Sequence, residues 1–116
     1  MQEHLKQALD FANYRQTLSI QRRTLKEKID AKLTYGHAGG LFKINQVLIS
    51  FVQLLISQGR TSGVPLLDSN ENPVMIENLE SFRDEILDRY FTATQEYYEE
   101  YQKIKKSRSV EKLVDL

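Results

Sequence analysis

A continuous apolar seam over residues 79–104 constrains this chain more than any other feature of its sequence. Apolar side chains return there at spacings of three and four, as they do on the packed face of an α-helix. Asn78 precedes the segment, and an asparagine side chain can accept a backbone N–H and start a helix. The sequence therefore predicts a long packed helix. Its seam consists of Leu79, Phe82, Ile86, Tyr90, Ala93, Tyr97, Tyr101 and Ile104.

Two further helices are predicted ahead of this one. Residues 2–33 contain almost no helix breakers and predict a long amphipathic helix with one apolar face. Residues 46–58 follow a candidate N-cap, Asn45, and are apolar on nearly every side, which requires both faces of that helix to be covered. We expect this second helix at the centre of the core. The apolar face of the first consists of Leu5, Leu9, Ala12, Leu18, Leu25, Ile29 and Leu33.

The remaining segments predict turns and short strands. Residues 35–40 are rich in glycine and predict a loop, and residues 41–44 predict a small strand. Residues 64–67 and 74–77 are β-prone runs around a polar loop, which predicts a β-hairpin. Pro65 and Pro73 cannot donate a ladder hydrogen bond, so each is expected at a strand end or an edge.

Together these elements predict a mainly helical α+β fold. Two long helices would pack on a short buried helix, with a small β-hairpin or three-stranded sheet at one end. A length of 116 residues predicts one domain over residues 1–116. Residues 107–116 form a short C-terminal tail whose Val110, Leu113 and Val114 have helical spacing, which indicates a docked or partner-binding segment.

Composition and the length of the apolar runs indicate the cellular compartment of the protein. The absence of cysteine excludes disulfides and thiolate sites and favours a reducing compartment. The longest apolar run, residues 47–56, has about half the roughly 20 residues that cross a bilayer, and no signal peptide is visible. We therefore expect a cytoplasmic protein that makes no use of a membrane.

The zero net charge conceals a division between the two parts of the chain. Residues 1–66 hold nine basic and four acidic side chains, and residues 67–116 hold seven basic and twelve acidic ones. If the first and third helices ran parallel, the two charge sets would meet poorly within one chain, whereas an antiparallel partner would align them. We therefore predict a homodimer. Surface ion pairs contribute only about 0–1 kcal/mol each, so they would select its orientation without holding it together.

No catalytic, cofactor-binding or metal-binding residue is predicted, and we expect no enzymatic activity. Asp68, Asn70 and Asn72 alternate like the first ligands of a helical-hand calcium loop. Pro73, however, stands where that loop needs glycine, and Leu79 stands where it needs a bidentate carboxylate. A polar hairpin turn is therefore the better interpretation.

These patterns predict a non-enzymatic protein-binding scaffold, assembly factor or regulator with an unidentified protein partner. The alternative is a nucleic-acid-binding accessory protein that uses the basic first helix and residues 103–108. The predicted protein interface consists of Phe82, Ile86, Tyr90, Tyr97, Tyr101 and Ile104. The predicted nucleic-acid contacts are Arg15, Arg22, Arg23, Lys26, Lys105 and Lys106.

Three stretches resemble small uncharacterised proteins of T4-type marine bacteriophages. They are DFANY at residues 10–14, FKI at residues 42–44 after the glycine-containing loop, and RSVEKL at residues 108–113. The resemblance spans most of the chain and carries no motif of known chemistry. It implies a phage accessory or assembly role in the cytoplasm of an infected bacterium.

Overall fold

The computed structural model describes the backbone of residues 2–114 and the side chains of residues 2–106. It is a mainly helical α+β structure, which confirms the predicted fold class. The short strands form two separate two-stranded antiparallel sheets. In chain order the elements are α1 (Gln2–Lys32), β1 (Thr34–His37), β2 (Gly40–Lys43), α2 (Gln46–Ser57), β3 (Ser62–Leu67), β4 (Pro73–Asn78) and α3 (Leu79–Val114).

The chain forms two compact units. Unit 1 consists of Met1–Lys28 and Glu96–Leu116, and unit 2 consists of Ile29–Gln95. None of the helices in the described part of the chain is long and apolar enough to cross a bilayer. The prediction of one domain over residues 1–116 stays a prediction. The docking predicted for the side chains of residues 107–116 lies outside the described side chains.

The first sheet replaces much of the loop predicted over residues 35–40. Strands β1 and β2 pair antiparallel, and only Ala38 and Gly39 lie between them. Their φ angles are 50° and 82°, and two positive values are what the tight type I′ hairpin turn requires. The loop prediction was wrong because it assigned the whole glycine-rich run to the connection, whereas a two-residue turn suffices. The predicted strand over residues 41–44 is confirmed as β2.

The second sheet is the predicted hairpin of residues 64–67 and 74–77. Val64 pairs with Ile76 and Leu66 pairs with Val74, which places these four side chains on the inner face. A two-stranded sheet has only edge strands, so Pro65 interrupts no central ladder. The hairpin prediction and its edge prolines are therefore confirmed.

Both hairpins and the first turns of α3 build the core of unit 2. The Phe82 ring is at its centre, with ring centroids 5.2 Å from Phe42, 5.2 Å from His37 and 6.0 Å from Tyr35. The Asn78 side chain accepts a hydrogen bond from the Ser81 N–H at 3.0 Å, which confirms the predicted start of the third helix. The buried cluster consists of Phe42, Ile44, Val52, Leu66, Val74, Ile76, Leu79, Phe82 and Ile86.

In unit 1 the segments of α1 and α3 run antiparallel. Lys28 Nζ lies 3.0 Å from Glu96 Oε1, and the Arg22 guanidinium, earlier in α1, lies 6.0 Å from the ring centroid of Tyr101, later in α3. The hydrogen bond to Glu96 and its charge raise the pKa of Lys28. The parallel arrangement considered from the sequence is therefore wrong for these segments. In these segments a basic side chain of α1 meets an acidic side chain of α3 within one chain, so they do not need an antiparallel partner to align their charges.

Helix α1 has two apolar faces where the sequence predicted one. Leu18 and Leu25 are buried, whereas Leu5 and Leu9 are 64% and 57% exposed. Leu18 lies nine positions after Leu9, and nine steps of about 100° turn a helix by two and a half turns. The two leucines therefore lie on opposite faces. The single-face prediction was wrong because it joined them into one series.

Candidate protein interface

Helix α2 is held by its N-cap and by α3. The Asn45 side chain accepts a hydrogen bond from the Leu48 N–H at 2.8 Å, as the sequence predicted. Gln46 Nε2 donates to Tyr90 Oη at 3.0 Å. About two turns later in α2, Gln53 Oε1 accepts a hydrogen bond from Arg83 Nη1 at 3.2 Å. Because the later residue of α2 meets the earlier residue of α3, the two helices run antiparallel. These contacts fix which side of α2 faces the core.

The opposite side of α2 is an exposed apolar face. Val52 is fully buried, whereas Val47, Phe51 and Leu54 are 78%, 49% and 52% exposed. The expectation that α2 is buried on both sides at the centre of the core is wrong. Within unit 2, the buried cluster covers only the side of α2 that carries Val52. No described element of that unit buries the opposite side of α2. We define Val47, Phe51 and Leu54 as the α2 face.

The α2 face carries no charge. From residue 46 to residue 58 the chain contains no Asp, Glu, Lys, Arg or His. The polar side chains on the exposed side are serines and glutamines, and Ser57 Oγ donates to the Leu54 carbonyl at 2.7 Å, within the helix itself. An exposed apolar face with a neutral rim is typical of a site that binds another protein surface. Sequence reasoning missed it, although the spacing of four and three residues between these apolar positions is the signal.

The interface predicted on α3 is largely used inside the chain. Phe82 and Ile86 belong to the unit 2 core, so packing explains their apolar character. Tyr90 is half-buried and accepts the hydrogen bond from Gln46. In unit 1, Tyr97 and Tyr101 are half-buried with stacked rings whose centroids lie 6.4 Å apart, and Ile104 is half-buried. The α3 residues do not form one open apolar face.

The predicted nucleic-acid contacts are exposed and divide between two helices. Arg15, Arg22 and Lys26 share one face of α1 by their spacing of seven and four residues. The Arg15 and Arg22 guanidinium groups lie 6.0 Å from the ring centroids of Phe11 and Tyr101, respectively. Arg23 is exposed on α1, and Lys105 and Lys106 are exposed on α3. Among the described side chains, Arg15 and Arg22 thus lie against aromatic rings of the chain itself.

The loop that begins at Asp68 is a structural hydrogen-bond site. Asp68 Oδ1 accepts from the Asn70 N–H at 3.0 Å and from the Asn72 N–H at 2.9 Å, and Oδ2 accepts from the Leu41 N–H at 3.1 Å. The Ser69 N–H also donates to the Leu41 carbonyl at 2.8 Å. The Asp68 carboxylate therefore orders its own turn and ties it to β2. Backbone N–H donors, first that of Asn72 and then that of Leu41, lower the pKa of Asp68.

Replacing Asp68 should weaken the fold in a pH-dependent manner. Because the pKa of Asp68 is lower in the folded than in the unfolded chain, its carboxylate stabilises the fold above the ordinary aspartate pKa. That contribution is lost as pH falls through the folded pKa. We expect Asp68→Asn to lower Tm at pH 7, Asp68→Ala to lower it further, and the gap between wild type and Asp68→Asn to narrow towards pH 3. Thermal unfolding followed by circular dichroism tests this; a gap that widens on acidification would contradict it.

Comparisons with known proteins add no relative. A scan against family models, a search of curated proteins and a search of solved structures each found no match. Among the described residues, no group of three or more histidine and carboxylate side chains is placed to hold a metal ion. The α2 face is thus the feature of the described structure that most directly indicates an activity.

Proposed function

We propose that this protein is a non-enzymatic protein-binding and assembly protein that self-associates through the α2 face. The observation that carries the proposal is the exposure of Val47, Phe51 and Leu54 on a helix without any charged residue. Leaving such side chains in water forgoes about 25 cal/mol for each Å² of apolar surface that a partner would bury. The large Phe51 ring, at the middle of the face, is the expected energetic centre.

A second copy of the chain is the occupant that the α2 face fits best. When two α2 helices pack antiparallel about a two-fold axis near residues 50 and 51, Val47 of each copy meets Leu54 of the other, and the two Phe51 rings lie beside the axis. Two-fold symmetry brings identical surfaces together, and a charged face would then oppose like charges. The absence of charge from residue 46 to residue 58 removes that penalty. Ser50, a small residue near the axis, leaves room for the helices to approach.

Self-association of this kind suits a scaffold or assembly factor. A phage accessory role in the bacterial cytoplasm, which the sequence resemblance implies, would use such a property. The dimer proposed here rests on the apolar α2 face and not on the charge division, because in unit 1 the antiparallel α1 and α3 segments already pair Lys28 with Glu96 within one chain.

Single cysteines on α2 test the proposal directly, because the natural chain contains none. Ser50→Cys is expected to form a disulfide-linked dimer on mild oxidation, since the two thiols would lie beside the two-fold axis. Ser57→Cys is the matched control: it changes the same residue type on the same exposed side. In the proposed dimer the two residues at position 57 are separated by about 20 Å along the helix axes, beyond the reach of a disulfide.

The yields of disulfide-linked dimer from Ser50→Cys and Ser57→Cys are measured on non-reducing gels across protein concentrations. A Ser50→Cys yield several-fold above that of Ser57→Cys supports the antiparallel α2 pair. Equal yields from Ser50→Cys and Ser57→Cys would contradict the antiparallel pair. Adding Phe51→Asp should lower the Ser50→Cys yield, because the aspartates would place two like charges in the apolar centre of the dimer. An unchanged yield would also contradict the proposal.

A further inference from the structure

An open cleft of about 510 Å³ lies beside the N-terminal end of α2, within unit 2. Leu33 and Tyr90 supply apolar surface to its lining, and Asp30 and Lys43 supply one charge of each sign. Val47, the first residue of the α2 face, also lines the cleft. The cleft and the α2 face are therefore continuous, so a partner that covers the face also meets the cleft.

The charges that line the cleft are available to a partner. Asp30 and Lys43 are exposed, and among the described side chains neither makes an ion pair or a side-chain hydrogen bond. The hydrogen bond that Thr34 Oγ1 donates to Asp30, at 3.0 Å, goes to the backbone carbonyl and not to the carboxylate. Arg60, shortly after α2, is exposed and has no ion pair in the described part of the chain. An open carboxylate thus lies near the beginning of α2, and an open guanidinium group lies beyond its end.

We propose that the cleft receives the end of α2 from a second copy, with Arg60 of that copy paired to Asp30. The inference rests on the proposed antiparallel α2 dimer and names further contacts of that interface. In that dimer the residues that follow Leu54 of one copy pass the end at which α2 of the other copy begins. Gln58 is exposed and lies four residues after Leu54, so it continues the α2 face. Arg60 follows two residues later, and its N–H donates to the Leu55 carbonyl at 3.0 Å, which keeps it beside the end of the helix.

The chemistry of the cleft fits an arginine that arrives at the end of a helix. The Asp30 carboxylate can accept two N–H groups of one guanidinium, and the Tyr90 ring offers a surface on which a guanidinium can stack. Lys43 would repel an isolated arginine, but the last turn of a helix carries partial negative charge, which favours a lysine beside it. Two-fold symmetry forms the site twice. The two ion pairs would select the register, while the apolar α2 faces hold the copies together.

Charge reversal in two separate full-length chains tests the pairing. Asp30→Lys places a lysine against Arg60 in both sites of its own dimer, and Arg60→Glu places a glutamate against Asp30. We expect each variant alone to dimerise roughly tenfold more weakly than wild type, because both symmetric sites change from attraction to repulsion. A heterodimer of the two variants contains one wild-type pair and one reversed pair. Mixing them should therefore recover most of the lost affinity.

The matched control is Asp88→Lys, which makes the same change at an exposed aspartate of unit 2 that does not line the cleft. Alone it should dimerise as wild type does. Its heterodimer with Arg60→Glu retains one mismatched site and should stay several-fold weaker than the heterodimer of Asp30→Lys with Arg60→Glu. Sedimentation velocity with a fluorescent label on one chain measures each of these associations.

Two results would overturn the Arg60–Asp30 pair while the α2 dimer stands, as shown by continued linking of Ser50→Cys. One is that Asp30→Lys and Arg60→Glu each dimerise as wild type does. The other is that their mixture is as weak as its components, which is expected if the two residues paired within one chain instead. Failure of Ser50→Cys to link would overturn the α2 dimer and this inference with it.

Discussion

Replacing Phe82 by alanine is expected to lower the free energy of unfolding by about 3–5 kcal/mol, the range for removing a fully buried phenylalanine. Phe82 is 1% exposed and its ring contacts the rings of Tyr35, His37 and Phe42. Alanine would leave a cavity beside the side chains of β1 and β2 that contact the Phe82 ring. Domains are stable by only about 5–15 kcal/mol in total, so this variant should be close to unfolding at 37 °C.

Phe91→Ala is the matched control for Phe82→Ala. It makes the same change on the same helix, at a side chain that is exposed. We expect its free energy of unfolding to remain within about 1 kcal/mol of wild type. Urea unfolding of the wild type, Phe82→Ala and Phe91→Ala measures both changes in the free energy of unfolding. All three are compared at one protein concentration, because self-association is expected. Similar losses for Phe82→Ala and Phe91→Ala would contradict the core assigned to unit 2.

Replacing Gly40 by alanine is expected to cost about 1–3 kcal/mol, because the added methyl group would overpack a closed contact. A Cβ atom at residue 40 would collide with Val74 Cγ2 and would lie 3.3 Å from Phe42 Cε2 and 3.4 Å from Asp68 Cβ. Val74 is buried and β-branched, so it has little freedom to move aside. The close approach of Gly40 is where the first hairpin packs against the second.

Gly36→Ala provides the control on the facing strand. A Cβ atom at residue 36 would meet only the Gly40 carbonyl oxygen, at an ordinary 3.9 Å. Its effect on the urea midpoint should therefore be small, while Gly40→Ala shifts the midpoint clearly downward. If the two alanine variants unfold at the same urea concentration, the two hairpins do not pack through Gly40 as described.

Local sequence signals predicted the elements well where a single residue determines geometry. Asn45 and Asn78 start helices because their side chains accept a backbone N–H, and this requires no knowledge of distant residues. The hairpin of residues 64–67 and 74–77 follows from turn chemistry and β-prone runs in the same way. The turn at Ala38 was harder to predict, because alanine rarely adopts positive φ and is not a usual turn signal.

The candidate site was missed because the spacing of apolar residues indicates an apolar face on α2 but not whether that face stays uncovered in the folded chain. The apolar composition of α2 is compatible with burial on all sides, and only the packing of unit 2 shows that Val52 is covered and Phe51 is exposed. Helix α1 shows the same difficulty: Leu9 and Leu18 are both leucines, and their opposite faces emerge only when the nine-residue gap is converted into an angle. Hydrophobicity predicted which segments need partners but not where those partners lie.

The most direct test of self-association is the solution mass of the wild-type chain. Size-exclusion chromatography with light scattering measures it at low and moderate salt, with and without a short DNA duplex. We expect at least twice the 13.6 kDa of one chain at about 100 µM, a concentration suited to interfaces of modest size. Since the proposed contacts are apolar, added salt should not dissociate them. A monomer under all these conditions would contradict self-association, and a monomer whose mass rises only with DNA at low salt would favour the nucleic-acid alternative.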